Sequence, residues 1–206
     1  IATDAAVSQN VLDAILKSVV DRSFNSITVD GDTSTNDACV LIATGKAGNR
    51  EITSIGIDHD SLQQAISEVC MFLAQAIVRD GEGATKLITL DVVNARNEQD
   101  AKQIGFTIAH SPLVKTALFA SDPNWGRILA AVGRSGVDID INNIKIFLGD
   151  VCIVENGGRA SAYTEAQGQK VMAESEIYIR VDLTAGNASS RVWTCDFSYD
   201  YVKINA

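Results

Sequence analysis

Histidine is scarce in this sequence: His59 and His110 are the only two, far apart and without ligand spacing around them. The four cysteines, Cys39, Cys70, Cys152 and Cys195, contain no C-x-x-C pair. Zinc sites need clustered His and Cys, so no metal is expected. Each cysteine sits in an apolar run where a thiol packs as a small hydrophobe, which predicts free, buried thiols in a reducing compartment. Two prolines among 206 residues, with 46% hydrophobic and 21% charged positions, exclude collagenous, disordered and low-complexity chains. Basic residues are outnumbered, 17 against 26 acidic, and the net charge of -9 repels phosphate backbones and anionic lipid. Nucleic acid is therefore not an expected partner. No apolar run approaches the roughly 18 residues that suggest a membrane span, and Ile1-Ala2-Thr3-Asp4 lacks the basic start and apolar stretch of a signal peptide. A soluble, cytoplasmic protein without a membrane partner is expected. Ile1 stands where an initiator methionine would, and Tyr199 to Ala206 reads as an unfinished β-strand. The expectation is a precursor that continues upstream and, briefly, downstream.

The residues that are present alternate helix and strand signals. Ser8 precedes Val11, Leu12, Ile15, Leu16 and Val19, a spacing near 3.6 that predicts a helix over 9–22. Short strands are predicted at Ile27 to Val29 and Ala38 to Ala43. Ser61 is read as the cap of a second helix whose Leu62, Ile66, Val69, Phe72, Leu73 and Ile77 form one apolar stripe. Cys70 and Met71 are placed beside that stripe, and Asp80-Gly81 ends the helix. A strand over 86–93, a helix capped by Asn97 and closing near His110, a short helix begun by Pro112 and another over 128–132 follow. Beyond Gly136 the pattern turns strand-rich, at 144–148, 151–155, 176–183 and 191–201, with one helix near 164–173. Asn156-Gly157-Gly158 and Ala185-Gly186-Asn187 are read as hairpin turns. The whole predicts a layered α/β fold with a mixed or antiparallel sheet. Residues 1–136 form a helix-rich part carrying the site loops, and 137–206 a strand-rich part packed with it as one unit.

Several runs invite a chemical reading. Thr44-Gly45-Lys46-Ala47-Gly48 lacks the first glycine and the hydroxyl residue of a phosphate loop, and Gly81-Glu82-Gly83 precedes a strand instead of following one; both read as turns. The glycines flanking Glu82 nevertheless let backbone approach a ligand closely. The residues alone favour a helix end with a solvent-facing Glu82 and leave a ligand site as the other reading. In Asp122-Pro123-Asn124-Trp125-Gly126-Arg127, Asp122 or Asn124 caps the next helix while Trp125 anchors it. No G-x-S-x-G elbow accompanies His110-Ser111, so His110 is read as closing a helix rather than joining a Ser-His-Asp triad.

Taken together, Ile1 to Ala6, Asp21 to Asn25, Thr28 to Asp37, the Glu82 turn, His110 to Ala117, Ser121 to Arg127 and Ser198 to Ala206 resemble the β chain of the ornithine acetyltransferase family. These are the bifunctional glutamate N-acetyltransferases of arginine biosynthesis, and the resemblance runs from end to end. It implies an αββα layered fold similar to that of self-processing aminopeptidases. It also implies a precursor that cuts itself before a threonine whose hydroxyl is the nucleophile and whose α-amine is the base. That threonine belongs to a segment upstream of Ile1, so no catalytic residue is expected within this chain, and Thr3 is not the nucleophile. Substrate ligands are implied at Glu82 and Asn205, with a last hydroxyl residue beyond Ala206. Acetyl would pass from N-acetylornithine to the threonine and then to glutamate, without a cofactor, acetyl-CoA being a candidate second donor. The implied partners are small amino-acid substrates and an α chain that supplies the oxyanion hole, in an assembly of two α and two β chains. Two rival readings are a self-processed aminopeptidase of the same fold and a non-catalytic amino-acid-binding subunit.

Overall fold

The computed structural model describes residues 1–206. The chain divides into two compact units, Ile1–Ser26 with Asp32–Ala76, and Ile27–Gly31 with Ile77–Ala206. The boundary read at 136/137 falls inside the second unit. Composition changes there because helices give way to strands, yet both sets close the same core.

In the first unit β1 (Ala2–Thr3) pairs in parallel with β2 (Ile42–Ala43). Helix α1 (Gln9–Arg22) buries Leu12, Ile15 and Val19, as their spacing predicts. Leu41 joins them, together with Ile66 and Cys70 from α2 (Ile57–Arg79). Ser61 lies a turn inside α2, its Oγ donating to the Ile57 carbonyl at 2.8 Å, rather than at its cap. The single stripe predicted for α2 is in fact two faces. Ile66, Cys70, Ala74 and Val78, spaced at i, i+4, are buried, whereas Val69, Phe72, Leu73 and Ile77 stay exposed, Phe72 at 72%. Hydropathy ranks Phe above Cys, but Ile66 and Cys70 share a core with Leu12, Ile15 and Val19 of α1, and that packing sets the inner face. Helix α2, 23 residues long with an 18-residue stretch of mean hydropathy 1.2, is long and apolar enough to cross a membrane by length and composition, although polar residues interrupt its apolar runs. Of the strand predicted over 38–43 only Ile42–Ala43 pairs.

The second unit is built on a six-stranded mixed sheet. Its strands are β3 (Leu87–Ala95), β4 (Lys145–Leu148), β5 (Val151–Glu155), β6 (Gly158–Arg159), β7 (Glu176–Asp182) and β8 (Ala188–Cys195), in the order β6-β5-β4-β7-β3-β8. Only β3 and β7 run parallel; the other neighbours are antiparallel. The predicted strand at Ile27 to Val29 is reduced to a bridge between Ile27 and Trp193. One sheet face, carrying Ile88, Leu90, Ile146, Leu148, Ile177 and Ile179, shares a core with α3 (Glu98–Ala109), α4 (Pro112–Phe119), α5 (Trp125–Gly133) and α6 (Glu165–Met172). The helices begin where their caps dictate: Asn97 Oδ1 accepts from Asp100 N at 2.8 Å, and Asn124 Oδ1 from Arg127 N at 3.1 Å. On the other sheet face Arg191 Nη2 and Tyr178 Oη both donate to Asp91 Oδ2, at 2.6 and 2.5 Å. That partly buried network outweighs exposed pairs such as Arg79–Glu176, which contribute about 1 kcal/mol at most.

Cys70 and Cys195 are buried, Cys39 and Cys152 only half-buried, and all four are free. The Asn156-Gly157 turn closes β5 and β6 as a hairpin, with φ of 50° and 74° at its two central residues. Ala185-Gly186-Asn187 does not, because β7 and β8 lie on opposite sides of β3. The connection crosses the end of β3, where the Ala185 and Gly186 N–H groups donate to Asn94 O at 2.7 and 2.9 Å. The strand predicted over 191–201 stops at Cys195 and gives way to α7 (Tyr199–Asn205). Tyr199, Tyr201, Val202 and Ile204 suit a strand in isolation, but the Ser198 cap, Asp200 in the first turn and Lys203 in the last are helix signals that prevail. At the crossing, a Cβ on Gly186 would collide with the Ala95 carbonyl. Gly186→Ala should cost about 1–3 kcal/mol, lowering Tm by about 2–4 °C per kcal/mol in thermal unfolding. An unchanged Tm would mean that the crossing relaxes freely.

Candidate functional site

Helix α2 ends at Arg79, and the chain turns at once through Asp80 to Thr85 before entering β3. Gly83 makes the turn feasible: its φ is +67°, and a Cβ there would lie 2.5 Å from Tyr201 N and 2.8 Å from Ser198 Oγ. The start of α7 is therefore seated directly on this glycine. Ser198 Oγ donates to Gly83 O at 2.6 Å and accepts from Asp200 N and Tyr201 N at 3.2 and 3.3 Å. At the far end of α7, Asn205 Nδ2 donates to Glu82 Oε2 at 2.7 Å and to Tyr201 O at 2.9 Å. The two residues singled out as substrate ligands, 123 positions apart, thus touch on an exposed surface.

Behind this pair the groups are buried and charged. Asp196, 2% exposed, accepts from Thr85 N (2.8 Å), Thr85 Oγ1 (2.6 Å) and Lys86 N (2.9 Å). Lys115, wholly buried in α4, donates to Thr194 Oγ1 at 2.9 Å and to the Cys195 carbonyl, and its ammonium lies 4.6 Å from the Phe197 ring centre. Burial pushes its pKa down, against the opposing pull of Cys195, Asp196 and Asp30. Phe197 stacks on Tyr201 at 4.6 Å, and Tyr201 Oη donates to Asp30 at 3.0 Å. Lys86 Nζ donates to Leu118 O, Ser121 Oγ and Met172 O at 2.6–2.8 Å, fastening the ends of α4 and α6 to the start of β3.

The other sequence candidates lie elsewhere. Thr44 to Gly48 is a plain turn tied to Thr3 O, Asp4 O and Ala5 O. Asn124 rather than Asp122 caps α5, and Ser111, Asn124, Arg127 and Arg134 line an open cleft of about 310 Å³ that neither Glu82 nor Asn205 reaches. His110 closes α3, with Nε2 3.1 Å from Thr28 Oγ1. No three His, Cys, Asp or Glu side chains converge as metal ligands would.

A match to the ArgJ family covers residues 1–206, the whole chain. The chain belongs to the ArgJ family. It is similar to the arginine biosynthesis bifunctional proteins ArgJ of Pseudomonas syringae pv. tomato and Pseudomonas fluorescens, with 58% and 59% identity over 208 aligned positions. All of the chain is matched, but only 51% of either relative, so it spans about half the length of those curated proteins. A crystal structure of the ArgJ protein from Bacillus halodurans shares its fold, with a TM-score of 0.95 and 39% identity over all of this chain and 96% of that one. That match gives the layered α/β class that the residues predict, of the αββα type that the resemblance implies.

Within this ArgJ-family chain, sequence reasoning overlooked Asp196, Ser198 and Lys115. The signals were present. Asp196 is a lone carboxylate directly after the apolar Val192 to Cys195, Ser198 stands two residues before Asp200 as an N-cap does, and Lys115 interrupts the otherwise apolar Pro112-Leu113-Val114 and Ala117-Leu118-Phe119.

Burial, with the Lys115 and Arg134 charges, holds His110 below its usual 6.5, and Asp30 opposes them. The fold therefore favours the neutral ring. As pH falls past the unfolded value the unfolded chain takes up the proton first, so this stability is present above about 6.5 and lost below it. His110→Gln should lose less stability than the parent between about pH 7.5 and 5.5 in paired melting curves. Equal losses would show that His110 titrates alike in both states.

Proposed function

We propose that this chain is the β chain of a self-processed acetyltransferase that moves acetyl from N-acetylornithine to glutamate in arginine biosynthesis. The observation that carries the reading is the Glu82–Asn205 contact at 2.7 Å within a chain matched to the ArgJ family along its entire length. Division of a precursor into two chains is supported by the coverages: 51% of the Pseudomonas proteins, yet 96% of the crystallised Bacillus chain.

In this reading self-cleavage leaves the threonine nucleophile at the amino-terminus of the β chain, upstream of Ile1, and the α chain contributes the oxyanion donors, in an assembly of two α and two β chains. The threonine Oγ attacks the acetyl carbonyl, its proton passing to the same threonine's α-amine. The tetrahedral adduct collapses, the C–N bond breaks, and the leaving amine of ornithine takes that proton. The amine of glutamate then attacks the acetyl-threonine ester, giving N-acetylglutamate and restoring the hydroxyl. This chain's share is recognition. Both substrates carry ammonium groups, and the Glu82 carboxylate, oriented by the Asn205 amide, presents a charge-assisted acceptor for one of them. No cofactor takes part, acetyl-CoA serves as a second acetyl donor, and the free thiols suit a cytoplasmic setting.

The full-length protein, both halves present, should make N-acetylglutamate from N-acetylornithine plus glutamate, and also from acetyl-CoA plus glutamate. Acetyl release to water with no acetylglutamate would instead make it an aminopeptidase-like hydrolase. Residues 1–206 alone should be inactive. A charge-assisted contact is worth about 1.5–3 kcal/mol, so Glu82→Gln should lower kcat/KM for N-acetylornithine about 10- to 100-fold without impairing self-cleavage. Unchanged kinetics would return Glu82 to a helix-end role.

A further inference from the structure

Glu82 and Asn205 sit on different segments, one on a turn and the other at the far end of a seven-residue helix. Neither is buried, and neither segment is long enough to hold its own position. What they share is Asp196 to Ser198. Asp196 grips the turn on the side that follows Glu82, through Thr85 N, Thr85 Oγ1 and Lys86 N. Ser198 grips it at Gly83 itself, next to Glu82, through Gly83 O, and caps the helix that carries Asn205. Lys115 secures the same stretch from beneath by donating to the Cys195 carbonyl, while Phe197 N donates to Lys115 O at 3.2 Å.

We infer that Asp196 is the positioning residue of the substrate-recognition pair: its buried carboxylate sets where the Glu82 turn stands relative to Asn205. The inference rests on the reading of Glu82 and Asn205 as substrate ligands. Asp196 itself touches no substrate and is not a catalytic residue. Its side chain answers two backbone N–H groups and one hydroxyl that nothing else on the turn satisfies in these contacts. An amide in its place keeps the shape but removes the charge and forces the Thr85 hydroxyl to reverse from donor to acceptor, so the three charge-assisted bonds become weaker neutral ones and the turn is held less firmly. Recognition geometry tolerates displacements of only about 0.5 Å, and a shift at Thr85 reaches Glu82 through only two intervening residues, Gly83 and Ala84.

The test uses the full-length protein with both halves present, and compares Asp196→Asn, Thr85→Val and Thr85→Ser with Glu82→Gln. Asp196→Asn should raise KM for N-acetylornithine about tenfold while kcat stays within about threefold, the pattern of lost uniform binding. Thr85→Val, which removes only the hydroxyl arm, should raise KM about threefold, and Thr85→Ser should restore it. Combining Glu82→Gln with either Asp196→Asn or Thr85→Val should add less than about twofold to the Glu82→Gln loss, because a misplaced carboxylate and an absent one are the same defect. A merely structural role would lower Tm and the yield of active protein without changing KM or producing that coupling. If Asp196→Asn does not fold, the Thr85 pair and its combination with Glu82→Gln decide the matter alone. Multiplying losses, or an unchanged KM beside a real Glu82→Gln effect, would overturn the inference and leave the functional reading standing. A silent Glu82→Gln would overturn both.

Discussion

A carboxylate 2% exposed must be answered by donors, and Asp196 is answered by Thr85 and the Lys86 backbone. Much of the second unit follows from that requirement. Lys86, whose backbone meets Asp196, sends its ammonium to the ends of α4 and α6. Lys115 reaches back from α4 to the strand that leads into Asp196. An unanswered ion in such a place would cost several kcal/mol, far more than any one of these hydrogen bonds contributes. The geometry is narrow for that reason. The ends of two helices and two strands are drawn to one point, and the exposed Glu82 turn is fixed from behind.

How much of this was legible depends on whether the signal was local. The α1 stripe, the Asn97 cap, Pro112 at a helix start and the Asn156-Gly157 hairpin are written in adjacent residues and appear as read, while of the two caps offered for α5, Asp122 and Asn124, the second is used. The failures are cases where distant chain decides. Residues 185–187 look like any hairpin, and only the placement of β3 between β7 and β8 makes them a crossing. Tyr199 to Ile204 has strand composition, yet no strand lies beyond Cys195 to pair with it, and the Ser198 cap starts a helix. On α2 two apolar faces compete, and what settles them is α1, some fifty residues earlier.

The site divides in the same way. Glu82 could be singled out because glycines flank it, whereas its contact with Asn205 spans 123 positions and no spacing rule connects them. Asp196, Ser198 and Lys115 announce themselves only as polar residues in apolar surroundings, a sign shared by structural and functional groups alike. Their roles emerge once the turn, the cap and the buried ammonium are seen to meet. The sheet face bearing Asp91, Tyr178 and Arg191 shows the limit of that sign, since an equally tight polar network there has no connection to Glu82.

Helix α7 is seven residues long, below the length at which a helix persists unaided, and Asn205 is its last residue. Helix ends are prone to fray, and on the proposed reading this end carries half of the recognition pair. Apparent affinity is the intrinsic affinity multiplied by the fraction of molecules in which the last turn is formed. If that fraction were about one half, a ligand would bind about twofold more weakly than the formed site allows, and it would draw the helix into order as it bound. On that reading the Ser198 cap and the Phe197–Tyr201 stack would tune binding from a distance, by setting how often the last turn is formed.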